Sequence, residues 1–331
     1  MNSMKHSIRG ENILVTGGAG FIGSALVREL LRERANVIVY DNFLSGDRSN
    51  LTEVADQIQI VNGDILSWKI YGAMKDYNVK YVFHLAAEPY IPHCYDNPEK
   101  FFDINVKGTM NLLMACKIFE VKRVVHFSTS EVFGSAQYTP MDENHPTLPF
   151  STYAVSKLAA DRTCFVFNHE HNIPVVIIRP FNCYGPRETQ PYVIPDIITQ
   201  LSKSNIVKLG NIDAKRDFTY VDDTARGAVA ILQSEIPNGE VINLGSNKTY
   251  SIKELALQIG KAMGYKNIEI KIDSSRLRPL DVNVLQCDYG KAHKLTGWTP
   301  KIGIEEGLKR TVDWYMNNGK RWIWEDTVPE A

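Results

Sequence analysis

The chain has 331 residues, 44% of them hydrophobic, and a formal net charge of −1 at pH 7. That is enough apolar material for one large α/β domain or two unequal ones. The near-neutral balance, with no dense Lys/Arg block, argues against a general nucleic-acid or membrane-surface role, so any phosphate must be met by local groups.

No run of about 18 apolar residues exists, and the first ten residues lack the apolar core of a signal peptide, which predicts a cytoplasmic protein without a membrane partner. Cys94, Cys116, Cys164, Cys183 and Cys287 are scattered and show no C-x-x-C spacing, so they predict packing residues rather than disulfides or a zinc site. The histidines form no ligand pattern either, and the HEH at 169–171 reads as a surface helix end. No metal is expected.

Residues 11–16, ENILVT, form a short apolar run that stops at GGAGFIG, after which SALVRELLRER carries helical periodicity. In this strand, turn and helix, Gly17, Gly20 and Gly23, with Phe21 and Ile22 between them, suit close approach to a pyrophosphate. A second strand, residues 36–40, ends in Asp41 and Asn42, about twenty residues beyond the last glycine. An acid at Asp41 accepts from ribose hydroxyls and repels a 2′-phosphate, which predicts NAD rather than NADP.

The alternation continues through QIQIVNGDIL, a helix reaching Tyr77, and the strand KYVFHLAA. Asp64 with Ile65, and Leu85, Ala86 and Ala87, read either as cofactor contacts or as strand-end packing, and Glu88 follows on the substrate side. Residues 99–119 read as one long helix, within which Asn105 either reaches the site or bonds locally.

Val124 to Phe127 form a buried strand, placing Ser128, Thr129, Ser130 and Glu131 at its carboxyl end, where open parallel sheets bind ligands. Ser151 can cap a helix that puts Tyr153 and Lys157 on one face, one turn apart. On an exposed helix such a pair is usually a solvated face. Beside a strand end, the ammonium is expected to favour the phenolate and lower the tyrosine pKa, making Tyr153 a general base.

The strand IPVVIIRPFN ends at Arg179, Pro180 and Asn182, and there the rhythm breaks. The expected architecture is a doubly wound parallel sheet of Rossmann type over 1–180 and a smaller substrate-binding domain over 181–331, with some segments returning to the main sheet.

The ordered set GGAGFIG, DNFLSG, NGDI, HLAA, NVKGTMNLL, STSEVFG, YAVSK, RPFNCYGPR, RDFTYVDD and RLRP resembles the extended short-chain dehydrogenase/reductase family, in particular its nucleotide-sugar epimerases and dehydratases. The resemblance covers nearly the whole chain. It implies NAD as cofactor, a nucleotide-diphosphate sugar as substrate, and a homodimer built through a four-helix bundle from the helices after Glu99 and Ser151. Tyr153 and Lys157 would oxidise C4 with help from Thr129, and the fold would place Pro180 beside the cofactor. Glu131 stands where the family's epimerases carry small or hydroxyl residues and its 4,6-dehydratases a glutamate that takes the C5 proton. Ser130 departs from the common Thr-Asp-Glu and resembles the Thr-Ser-Glu of GDP-mannose 4,6-dehydratases, a triplet shared with UDP-glucuronate decarboxylases. STYAVSKLAAD looks like the dehydratase version, and the overall wording is closest to 4,6-dehydratases of N-acetylhexosamine nucleotides. Asn182, Arg216 and Arg278 are the candidates for the diphosphate, with Arg187, Val193, Lys208 and Asn105 also on the substrate side; for each Arg the alternative is a surface ion pair. The resemblance thus implies a 4,6-dehydratase, with a 4-epimerase second and a decarboxylase third, and leaves the base and the C2 substituent open.

Overall fold

The computed structural model describes residues 6–318. Strand and helix alternate through β1 (Asn12–Thr16), α1 (Phe21–Arg32), β2 (Asn36–Asp41), β3 (Ile58–Asn62), α2 (Lys69–Asp76) and β4 (Tyr81–His84), with a 3-10 segment, Arg48–Gln57, in place of a helix between β2 and β3. Short helices α3 (His93–Asp96) and α4 (Pro98–Phe102) lead through a π-turn, Asp103–Lys107, into α5 (Gly108–Ile118). Next come β5 (Arg123–Phe127), a 3-10 turn at Ser130–Phe133, α6 (Thr152–His171) and β6 (Val175–Pro180). Beyond them lie β7 (Asn182–Tyr184), α7 (Val193–Lys203), β8 (Ile206–Leu209), β9 (Lys215–Tyr220), α8 (Val221–Gln233), β10 (Val241–Leu244), β11 (Thr249–Ser251), α9 (Ile252–Ala262), β12 (Glu269–Ile272), α10 (Gly290–Thr296) and α11 (Ile304–Asn318).

Seven strands form one parallel sheet in the order β10-β6-β5-β4-β1-β2-β3. The chain reverses direction between β1 and β4, and such a switch point opens a crevice at the carboxyl ends of the strands. Side-chain alternation divides the core into two layers. Ile13, Val15, Val37, Val39, Val125 and Ile178 enter one, while Leu14, Ile38, Val124 and Ile177 enter the other. Burial of each such side chain contributes about 1.5–3 kcal/mol, and burial on both faces explains why these strands read as continuous apolar runs.

The expected single helix over 99–119 is instead broken by the π-turn. The extra residue in that turn directs Asn105 inward, leaving it 1% exposed.

In the second half, β9 lies between β7 and β11, and β8 pairs with β12, over a separate core that includes Leu201, Val207, Leu255, Ile259 and Val312. β10 joins the large sheet beside β6, and α8 packs on α1. Asp217 on β9 joins the loop after β10 to the segment before α10. Its carboxylate accepts from Ser246 N at 2.7 Å, Ser246 Oγ at 2.6 Å, Asn247 N at 2.8 Å and Cys287 N at 3.0 Å. Among the described residues no helix is long and apolar enough to cross a membrane.

Candidate active site

The turn after β1 admits only glycine at two points. Gly17 has φ +71°, and a Cβ there would lie 2.7 Å from Ala86 N; a Cβ at Gly23 would strike the Gly17 carbonyl oxygen and sit 2.9 Å from Gly18 Cα. Gly20 caps α1 without any side-chain hydrogen bond, so the first-turn N–H groups are left facing an incoming anion. At the end of β2, Asp41 Oδ2 accepts from Ala19 N at 2.9 Å and Oδ1 from Phe43 N at 2.8 Å. Burial pushes the Asp41 carboxyl up, against these amides and Arg48. The backbone bonds also fix its position relative to the glycine turn. Asn42 Nδ2 donates to Asp64 Oδ2 at 3.0 Å, joining the ends of β2 and β3.

A cleft of about 810 Å³ runs along the carboxyl ends of the sheet. Its wall includes Gly17 and Gly20 to Gly23, Asp41, Asn42, Asp64, Ile65, Leu85 to Ala87, Tyr153, Lys157 and Pro180. The uncapped helix start, the closely packed glycines and the acid at the end of β2 fit a dinucleotide.

At the end of β5, Thr129 caps the 3-10 turn, its Oγ1 accepting from Glu131 N at 3.2 Å. Ser151 caps α6 through Ala154 N at 3.1 Å. Tyr153 hydrogen-bonds Thr129, and Lys157 Nζ donates to the Phe127 carbonyl at 2.5 Å. Thr129, Ser130, Glu131, Tyr153 and Lys157 therefore share one wall of the cleft.

The expectation that Tyr153 titrates near working pH is corrected here. Burial dominates and pushes its hydroxyl up, Glu131 and Cys183 add to the rise, and the hydrogen bond from Thr129 is what opposes it. Burial likewise pulls Lys157 down to about 8, while Cys164 and Asp161 hold it up.

On the other side, Glu88 pairs with Lys100 at 2.6 Å and is nearly buried. Asn105 Oδ1 accepts from Glu88 N at 2.9 Å, and its Nδ2 donates to Ser156 Oγ at 2.9 Å. Asn105 therefore braces the Glu88 loop against α6 from behind, and the cleft wall does not include it. Arg187 also lies outside the wall, paired with Glu53 at 2.8 Å, and Lys208 is an exposed residue of β8 outside it. Glu88, Asn182, Val193, Arg216 and Arg278 do line it. Arg216 is buried and reaches Asp281 at 3.2 Å, whereas Arg278 is exposed. The buried Asn182 Oδ1 has no hydrogen-bond partner among the described residues. Sequence reasoning missed Tyr90 and Tyr192, whose rings meet edge to face at 5.9 Å in the wall, and Ser156 behind it. It also missed Arg276, which reaches Asp196 at 2.7 Å. Tyr90 and Tyr192 lie in irregular segments that no periodic pattern marks, and Arg276 belongs to the RLRP motif, its one signal.

The family model described as GDP-mannose 4,6 dehydratase matches residues 14–311. The chain belongs to this family. Its relatives are NAD-dependent nucleotide-sugar dehydratases and epimerases. UDP-glucuronate 4-epimerase of Thermodesulfobacterium geofontis is 34% identical over 317 residues, which is 92% of this chain and 96% of the relative. The dTDP-glucose 4,6-dehydratase of Streptomyces venezuelae, solved with NAD bound, is 32% identical with a TM-score of 0.87, covering 96% of this chain and 100% of that one. The UDP-glucuronic acid 4-epimerase of Bacillus cereus, solved with UDP-glucuronic acid and NAD, is 31% identical with a TM-score of 0.87, covering 93% and 100%.

Proposed function

We propose that this family member is a nucleotide-sugar 4,6-dehydratase with NAD as its cofactor, forming a 4-keto-6-deoxy sugar nucleotide. The observation that carries the reading is Glu131, a carboxylate in the same cleft wall as Tyr153 and Lys157 and on the turn that Thr129 caps. NAD, which the Gly17 to Gly23 turn and Asp41 would hold, would supply the hydride acceptor for C4 and the hydride donor for C6. Tyr153 takes the C4 hydroxyl proton in its phenolate form, which the Thr129 hydrogen bond favours against burial and to which Lys157 adds positive charge. Oxidation at C4 acidifies the C5 hydrogen, which Glu131 then removes as general base. The C6 hydroxyl departs as water with a proton from the Glu131 carboxyl, Ser130 or a water completing the path where other dehydratases hold Asp. A solvent-derived proton finally reaches C5 as C6 is reduced, so the reaction loses one water without net redox change.

Asn182, Arg216 and Arg278 are assigned to the substrate diphosphate, because all three line the cleft and guanidinium forks and an amide NH2 can donate to phosphate oxygens. Residues 1–180 are assigned to NAD and 181–331 to the sugar nucleotide. Met110, Met114 and Ile118 on α5, with Val155 and Val166 on α6, form exposed apolar positions that support a dimer through these helices. Five free cysteines support a cytoplasmic location. A 4-epimerase is the second reading, favoured by the 34% identical epimerase; it would use Tyr153 and Lys157 and leave Glu131 without a proton to remove.

The discriminating experiment is Glu131→Gln. The variant should bind NAD and oxidise C4, with reduced-cofactor absorbance that persists while water loss slows by at least about 10²-fold. Unimpaired turnover in this variant would defeat the assignment.

A further inference from the structure

The buried ion pair behind the site has no place in the chemistry described so far. On α6, Asp161 follows Lys157 by one turn and Tyr153 by two, so the three share a face. Asp161 is 0% exposed, and its Oδ2 accepts from Arg179 Nε at 2.9 Å. Arg179, 4% exposed, immediately precedes Pro180 of the cleft wall. Its guanidinium stands 4.9 Å above the ring of Phe133. Phe133, fully buried, is the last residue of the turn that carries Ser130 and Glu131. One guanidinium thus touches the helix bearing Tyr153 and Lys157 and the turn bearing Glu131, from the strand that ends at Pro180.

Stability alone is a poor reason for the pair, because a buried ion pair can often be exchanged for apolar side chains at no cost. The second Asp161 oxygen, Oδ1, is buried without a partner among the described residues, so the arrangement is not optimised as a stability device. We propose that Asp161 and Arg179 are positioning residues that hold α6 and the Ser130–Phe133 turn in one fixed relation, with the Asp161 charge also supporting the Lys157 ammonium from behind. Arg179 acts through Phe133 and Asp161 acts through Lys157. This rests on the active-site reading above.

The test compares Asp161→Asn, which keeps the shape and a hydrogen bond, with the apolar double substitution Asp161→Leu/Arg179→Met. The double variant should recover most of the melting temperature lost by Arg179→Met alone, while kcat stays down by about 10²-fold, the usual cost of misplacing a reacting group. KM should change far less than kcat. In Asp161→Asn the alkaline limb of the kcat–pH profile should move to lower pH, because Lys157 loses a neighbouring anion that keeps it charged. A purely structural pair would move the melting temperature and leave that limb in place. Recovery of kcat together with stability in the double variant, or an unmoved limb in Asp161→Asn, overturns the proposal. Tyr153→Phe is run beside them: wild-type activity in that variant would count against the active-site assignment itself, and its loss there leaves the pair as the only question.

Discussion

Substituting Gly23 by alanine should separate cofactor binding from folding. A Cβ at this position would be driven into the Gly17 carbonyl oxygen and would approach Gly18 Cα to 2.9 Å. Both obstacles are backbone, which cannot rotate aside as a flexible side chain would. The methyl can be accommodated only by moving α1 away from the turn, against the burial of Leu26, Val27 and Leu30. Overpacking of this kind costs about 1–3 kcal/mol. If opening the turn relieves it, the bound pyrophosphate loses the close backbone approach, and NAD affinity should fall by about 5- to 150-fold. Calorimetric titration with NAD measures this, and Gly72→Ala supplies the control. Gly72 lies in α2 with nothing within 4 Å of a Cβ, so alanine there should leave NAD affinity unchanged and stabilise the helix slightly. Gly23→Ala binding NAD within about twofold of wild type would refute the fit of the turn to a pyrophosphate.

Tyr153→Phe should reduce C4 oxidation by about 10²-fold or more, seen as loss of reduced-cofactor formation; near-normal turnover would place the base elsewhere. Asp41→Ala should narrow the preference for NAD over NADP, because the repelling carboxylate goes, and should also free the Ala19 and Phe43 amides it now holds. Equal binding of both cofactors by the wild type would contradict the role given to Asp41. In the proposed mechanism the Lys157 ammonium is needed, and burial lowers this group to about 8, so kcat should fall as pH rises through that value; a profile flat to pH ~10, the range of an unperturbed lysine, would speak against it. Asp217→Ala strands the donors of Ser246, Asn247 and Cys287, and should destabilise the protein by at least about 3 kcal/mol in urea unfolding.

The parallel sheet was legible because its strands are buried on both faces and their boundaries coincide with glycine turns and Asp residues. Gly17, Gly23, Asp41, Tyr153 and Lys157 could be placed because each follows a regular element at a fixed offset. The π-turn at Asp103–Lys107 was not legible: apolar residues continue through it, and periodicity cannot distinguish an inserted residue from an α-helical turn. Asn105 consequently turned out to brace the Glu88 backbone instead of facing the cleft. Arg187 and Lys208 lie outside the cleft wall, and the sequence could not show it, since a cation in a loop or on an edge strand carries no local sign of which way it turns. The Tyr153 pKa went the other way because sequence spacing reveals a neighbouring charge but not the burial that outweighs it.

Mass spectrometry of products from UDP-, GDP-, dTDP- and CDP-hexoses and their N-acetyl forms, made in deuterated water with the wild-type protein, tests the central claim most directly. The account expects at least one sugar nucleotide to lose one water and gain one deuterium at C5, its C6 hydride coming from C4 of the same molecule. A product of unchanged mass that keeps its C6 hydroxyl and shows inverted C4 stereochemistry would contradict the dehydratase assignment and leave Glu131 without a catalytic role.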